Sequence, residues 1–288
     1  MSDGLKNLLD LLTLEKIDEN IYRGQSEATD WGRVYGGQVI AQALSAAAQQ
    51  VAPDRHIHSF HSYFLRPGNP DYPIIFEVES NLDAGTISNR RVKAVQRGQT
   101  IFFMTSSFQL NIDSFDHQSE MPAVPPPDDL PHELELREED LRFAPQERPP
   151  RFNGVRAIDF RTVNYEDLTQ PHKSPPTKQT WMRPNGLLPN DPRIHNYVLA
   201  YASDFFFLAT ATQPHEVSLL TEDLRMATID HSMWFHRPFD FNDWLLYEID
   251  SPSASNGRGF VRGKIYDRAG RLVASSAQEG IMRKKRSS

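Results

Sequence analysis

Cysteine is absent from the 288 residues, which excludes disulfides, thiol nucleophiles and cysteine-ligated metal sites together. No apolar run approaches the ~20 residues of a membrane-spanning helix. Positive charge is in deficit, with 31 Lys and Arg against 38 Asp and Glu. A net charge of −7 removes any general attraction to nucleic acid or anionic lipid. The basic residues at 283–286 read as a solvated tail. Familiar nucleophile and phosphate signatures are also missing: there is no Gly-x-Ser-x-Gly elbow, no phosphate loop and no Gly-x-Gly-x-x-Gly fingerprint. His56 and His58 share a strand face and His58 and His61 diverge, and no carboxylate stands beside either pair in a zinc-like spacing. The expectation is an enzyme or binding protein with no cofactor and no metal.

What is present is the composition of a globular protein, 39% hydrophobic and 24% charged. Residues 1–12 carry leucines at 5, 8, 9, 11 and 12, an amphipathic helical pattern. Asp3 and Asp10 and the lack of a basic leader argue against a secretory signal, so a cytoplasmic protein is expected.

The chain repeats itself. Between Asp113 and Pro150 lies an acidic stretch with eight of the 21 prolines, including Pro125, Pro126 and Pro127. Such a stretch resists strand pairing and reads as a linker, with one short helix expected near Glu133 to Leu141. On either side the same landmarks recur in one order. A helical stretch (Gly37 to Val51, then Ile194 to Thr212) precedes a strand ending Tyr63-Phe64-Leu65-Arg66-Pro67 or Trp234-Phe235-His236-Arg237-Pro238. A hairpin then turns on Gly98 or Gly270, and its return strand ends Ser106-Ser107-Phe108-Gln109 or Ser275-Ser276-Ala277-Gln278. Three landmarks in one order indicate an internal duplication, with units at 1–112 and 151–288 and a linker at 113–150. Val198 to Ala211 is apolar on nearly every side, so it must be wrapped rather than laid on a surface. An antiparallel sheet curved around a helix meets that need, giving an α+β double hotdog.

Asp204 stands out within Tyr197 to Leu208, a segment built for burial. A carboxylate there loses hydration, which costs several kcal/mol unless it is bonded or protonated. It is either a buried structural Asp tied to an amide or a Tyr, or a reactive group. Thr228 lies on the strand Met226 to Ser232; strict alternation places it with Asp230 and Ser232, and His231 on the opposite face with Ile229. Thr228 and Gln278 are uninformative alone, as a β-former and a surface amide. His58 is a strand histidine, either bonded in the sheet or in a secondary catalytic role. Gly36 and Gly37 open the first helix, as a tight turn or as donors to an anion.

With these residues in view, the sequence resembles bacterial acyl-CoA thioesterase II nearly end to end. The resemblance is carried by Tyr22 to Ser26, Val34 to Gln38, His58 to Gly68, Ala227 to Pro238 and Arg258 to Gly263. It implies hydrolysis of acyl-CoA to free acid and CoA, with water activated by an aspartate, a threonine and a glutamine that match Asp204, Thr228 and Gln278. Asp204 would deprotonate the water while Thr228 and Gln278 hold it in line. Amides at Gly37 and Gln38 are candidates for receiving the oxyanion. Aligning Arg66-Pro67 with Arg237-Pro238 places Ile57 opposite Thr228, the first helix has no acid, and Gln109 echoes Gln278; one active site per chain is expected. Phe205, Phe206, Phe207 and Trp234 suit either an acyl tunnel or a core, and Arg33, Arg90, Arg91 and Lys93 are candidates for the CoA phosphates.

Two rivals stand beside this reading. An enoyl-CoA hydratase on the same fold needs an Asp and a His a few residues apart in a characteristic run, which is missing. A non-catalytic acyl-CoA binding or regulatory protein keeps the fold without the chemistry. The expected partners are acyl-CoA substrates, with no nucleic acid and no membrane insertion, and by analogy a homo-oligomer, dimer or tetramer.

Overall fold

Ser2 starts the first helix, its hydroxyl accepting the Leu5 amide at 3.2 Å. This helix, α1 (Asp3–Leu12), buries Leu5, Leu8 and Leu12 on one face, as the leucine spacing requires. The structure, a computed structural model, describes residues 1–27, 32–133, 135–136, 157–218 and 224–284.

The first half continues with β1 (Glu15–Asp18), β2 (Ile21–Gly24), α2 (Gly36–Ala48), β3 (His56–Phe64), β4 (Ile74–Asp83), β5 (Ile87–Gln96) and β6 (Gln99–Gln109). The second half holds β7 (Ile158–Thr162), β8 (Thr177–Pro184), α3 (Pro192–Ala202), a 3-10 helix (Leu208–His215), β9 (Leu224–Thr228), β10 (Asp230–Phe235), β11 (Leu245–Ser255), β12 (Arg258–Asp267) and β13 (Leu272–Lys284). The strands form one antiparallel sheet in the order β1-β2-β4-β5-β6-β3-β10-β13-β12-β11-β8-β7, with β9 also on β13. The halves meet at its centre, where β3 pairs with β10 and His61 stands opposite Ser232. Helices α2 and α3 pack on each other within the same apolar core as the inward side chains of the strands. Every residue of α2 from Gly37 to Ala48 is buried, and its polar stripe is satisfied inside the protein, with Gln38, Gln42 and Ser45 donating to the Gln25, Leu11 and Leu12 carbonyls. This is the double hotdog α+β fold.

Three sequence expectations need correction. The second helix was expected to run from Ile194 to Thr212, but α3 ends at Ala202 and resumes only as the 3-10 helix from Leu208. Phe206 between them adopts a left-handed φ of 54°, a conformation costly for a bulky residue and incompatible with a continuous helix. Asp204 therefore sits just beyond a helix end.

Strict alternation along Met226–Ser232 also fails. Thr228 pairs with Gly280 on β13, whereas Ser232 pairs with Ala277. Four residues on one strand thus face three on the other, a β-bulge at Ile229. The extra residue shifts the phase, so Thr228 and His231 point to the same inner side while Asp230 faces away. The first half has the same device, a register shift between Ile57 and Ser59 on β3, so Ile57 does correspond to Thr228. The Ser-Ser-x-Gln echo, however, is not a structural repeat. Phe60 pairs with Ser106, and its counterpart His231 lies beside Gln278. Ser106, rather than Gln109, occupies the Gln278 position.

The proline-rich stretch, where described, runs along the outer face of the second half. Trp181 Nε1 donates to the Pro125 carbonyl at 2.9 Å, and Gln118 bonds Gly270 and Leu272. Met121, Val124 and Leu130 cover a second apolar cluster of Trp181, Trp244, Leu246 and Tyr266. Most of the helix expected near Glu133 to Leu141 and the boundary at 150 lie outside the described residues.

Candidate active site

The N-terminus of α2 and the end of α3 cross at glycine. A side chain on Gly37 would run into the Tyr201 carbonyl and the Tyr35 ring, and one on Gly36 would meet Asp204 Oδ2 at 2.6 Å. Only the missing Cβ atoms let the Asp204 carboxyl reach the first turn of α2, where free amides and the helix dipole favour an anion. The helix end that faces the site is thus the start of α2.

Asp204 keeps part of its residue surface accessible, but its carboxyl is packed among protein groups. Burial, the largest influence, pushes it up to about 7. The Gly37 amide, then the Gln278 and Thr228 side chains, donate to it and act in the opposite direction. Gln278, 1% exposed, also donates from Nε2 to Thr228 Oγ1 at 2.9 Å. Thr228 accepts that bond and donates its own hydroxyl to Asp204. The three residues expected from sequence are therefore one hydrogen-bonded group, gathered from the end of α3, β9 and β13.

Behind them stands His231, wholly buried and not singled out from sequence because alternation put it on the wrong face. Its Nδ1 lies 2.6 Å from Gln278 Oε1 and its Nε2 3.1 Å from Ser203 Oγ. Tyr247 on β11 donates to the Ser203 carbonyl at 3.1 Å and bonds Ser276 Oγ at 2.8 Å. A ring wall flanks the carboxylate: Tyr35 packs on Tyr201 and Phe205, and Phe205 on Phe160 and Phe206.

Other expected residues fall elsewhere. His58 is the bulge residue of β3, with Nε2 2.8 Å from Ser107 Oγ. It lies six residues from Phe64, whose amide meets the Ile229 carbonyl, roughly 20 Å along the strand, so it does not join the cluster. Gly37 gives its amide to Asp204, while Gln38 gives its amide to Tyr35 and its side chain to Gln25 and Gln42. Neither amide is free for an oxyanion. Phe207 is core at 0% exposure, and Trp234 is an outer-face residue against His61. Arg90, 3% exposed, is bound to Asp83 and the Gln50 carbonyl and is not available to a phosphate. Among the described residues no cluster of His, Asp and Glu has a metal-binding arrangement, and no helix is long and apolar enough to cross a membrane.

In the first half, the positions of Thr228, His231 and Gln278 hold Ile57, Phe60 and Ser106, all buried. At the opposite crossing of the two helices, Arg193 Nη2 donates to the Ala52 carbonyl at 3.1 Å, so among the described residues a cation, and no counterpart of Asp204, stands near the end of α2. The duplication has kept the frame and one polar group.

Comparison with known proteins agrees with this architecture. Residues 26–109 match the model of the acyl-CoA thioesterase N-terminal domain, and residues 151–281 match that of acyl-CoA thioesterase. Acyl-CoA thioesterase 2 of Haemophilus influenzae is 43% identical over 283 residues, covering 98% of this chain and 99% of the relative. Human acyl-coenzyme A thioesterase 8 is 39% identical, covering 96% and 88%. The crystal structure of the acyl-CoA thioesterase II TesB2 from Mycobacterium marinum superposes with a TM-score of 0.80 at 39% identity, covering 96% and 98% of the two chains. Fold and relatives together define a thioester hydrolase of the hotdog type. The chain belongs to the acyl-CoA thioesterase II family, and its reaction is hydrolysis of acyl-CoA.

Proposed function

We propose that this hydrolysis proceeds by direct attack of a water molecule activated by Asp204, with Thr228 and Gln278 positioning it. The observation that supports the reading most is the buried carboxylate at the α2 N-terminus with three donors around it. A carboxylate offers about four acceptor sites, so three donors leave one for water. A base with a pKa near neutrality combines availability with proton affinity at working pH.

The steps balance without a covalent acyl-enzyme. Asp204 takes a proton as the water oxygen bonds to the thioester carbon, and the carbonyl electrons move onto oxygen. Collapse of that oxyanion breaks the carbon–sulfur bond. The leaving thiol has a pKa of about 8.5, so it departs as thiolate and recovers the proton from Asp204. The ring wall from Tyr35 to Phe206 is the proposed contact surface for the acyl chain. A lipid-metabolic role on fatty acyl-CoA is proposed on the same ground.

Release of free CoA across acyl-CoAs from short to long tests the function, and saturable binding without release would favour the regulatory reading. Thr228→Val keeps the shape and deletes the hydroxyl. It is expected to lower kcat roughly 10- to 100-fold with unfolding temperature nearly unchanged. A wild-type rate in steady-state assays would remove Thr228 from water positioning.

A further inference from the structure

The geometry points to His231 as a positioning residue for the reaction: its Nδ1–H, held on Gln278 Oε1, turns the Gln278 NH2 toward Thr228 and Asp204. This rests on the water-activation reading of Asp204, Thr228 and Gln278.

His231 is 0% exposed, stacked on Phe60 with centroids 6.0 Å apart and tilted against Phe207 at 5.7 Å. Burial holds its pKa down at about 4, so at neutral pH the ring has one N–H and one lone pair. Both ring nitrogens nevertheless have polar partners, at 2.6 Å and 3.1 Å. Two hydrogen arrangements fit them. In the first, Nδ1–H donates to Gln278 Oε1, Ser203 donates to Nε2, and the amide NH2 points at Thr228 and Asp204. In the second, the amide is turned over. Gln278 then donates to Nδ1, Nε2–H donates to Ser203, and Ser203 donates to the Ala200 carbonyl 2.9 Å away. That arrangement puts the Gln278 carbonyl against Asp204 and is compatible only with a protonated carboxyl. An ionised base therefore requires the Nδ1–H form, and the ring decides which end of the amide it meets.

The duplication supplies a second observation. The half that lacks Asp204 has Phe60 and Ser106 where this half has His231 and Gln278, so the histidine–glutamine pair accompanies the acid. Among the described residues, the ionisable groups around the amide are Asp204, His231 and Tyr247. The Tyr247 hydroxyl is raised well above its usual range by burial and stays neutral. Asp230 and Glu279 lie on the other face, where Asp230 accepts the Glu279 amide and Glu279 meets Arg258.

His231→Phe copies the residue of the first half, preserves the ring stack and removes both hydrogen bonds. With an acyl-CoA substrate, kcat is expected to fall roughly 10- to 100-fold with KM little changed. The acid limb of the kcat–pH profile should move to higher pH, since a turned amide opposes ionisation of Asp204. His231→Asn, whose amide nitrogen can stand in for Nδ1, should recover most of kcat. In a Gln278→Ala background, His231→Phe should cost nothing further. A wild-type kcat and pH profile in folded His231→Phe would overturn the inference, as would an undiminished loss in the Gln278→Ala background. If His231→Phe does not fold, His231→Leu, which also lacks both hydrogen bonds, takes its place beside His231→Asn: a kcat lost in the leucine variant and recovered in the asparagine variant supports the role, and equal kcat in the two folded variants refutes it. A fully active Gln278→Ala would instead sink the water-activation reading itself, whereas an inactive Gln278→Ala beside a fully active His231→Phe would sink only this inference.

Discussion

Asp204→Asn is expected to lower kcat by roughly 10²-fold or more and, at pH 8, to make the protein more stable than wild type. The rate loss follows from removing the group proposed to take a proton from water. The stability gain follows from linkage. Burial raises the carboxyl from its ordinary 3.8 to about 7, so the folded state holds the proton more tightly than the unfolded chain. Below pH ~4 both states are protonated and the group costs nothing. Between pH ~4 and ~7 the unfolded chain ionises while the folded site resists, so stability falls as pH rises, by up to about 1.4 kcal/mol per pH unit. Above pH ~7 the full cost, on the order of 4 kcal/mol as an upper bound, is present. Asparagine removes that cost and still accepts the Gly37 amide, although its own NH2 must face the donors of Thr228 and Gln278. A gain of at least ~1 kcal/mol at pH 8, shrinking toward pH 4, is therefore expected in denaturant titrations. Loss of stability at pH 8 would remove desolvation as the main influence on Asp204, and normal turnover would remove Asp204 from the mechanism.

Gly36→Ala should lose activity on a similar scale, roughly 10²-fold, without replacing any reactive group. The added methyl would lie 2.6 Å from Asp204 Oδ2 and 3.2 Å from the Phe64 ring. The expected response is that the Asp204 side chain turns away from the methyl and leaves the Thr228–Gln278 pair. Overpacking of this kind costs about 1–3 kcal/mol, which leaves a folded protein. Kinetics and thermal melting on the same sample separate the effects: a normal kcat would show that the contact with Gly36 does not fix the carboxylate.

The fold was legible because its demands are local and repeated. An apolar helix with no polar face needs wrapping, and strand and turn signals recurring in two halves say what wraps it. Asp204 was legible for the same reason, as a charge in a segment designed for burial. Thr228 and Gln278 were not, since a threonine on a strand and an amide near a strand end are ordinary until something turns them inward. What turns Thr228 inward is the bulge at Ile229, one extra residue with no mark in the sequence. That residue also hid His231. The echo of Ser-Ser-x-Gln misled for a related reason: register is set by the hairpins, and Gly98 and Gly270 align Ser106 with Gln278. Gly36 and Gly37 were visible as glycines, but their use depends on how closely α2 and α3 cross, which is a tertiary fact. The same crossing commits the Gly37 amide to Asp204, while the Gln38 amide closes the first turn of α2 on the Tyr35 carbonyl.

The most direct test of Asp204 as the base is the pH dependence of kcat/KM for one acyl-CoA between pH 5 and 9, which reports the base of the free enzyme. The account predicts a rise of about tenfold per pH unit up to an inflection near 7 and a plateau above it, with the limb abolished in Asp204→Asn. A wild-type profile flat from pH 5 to 8, or a limb that survives in Asp204→Asn, would contradict it.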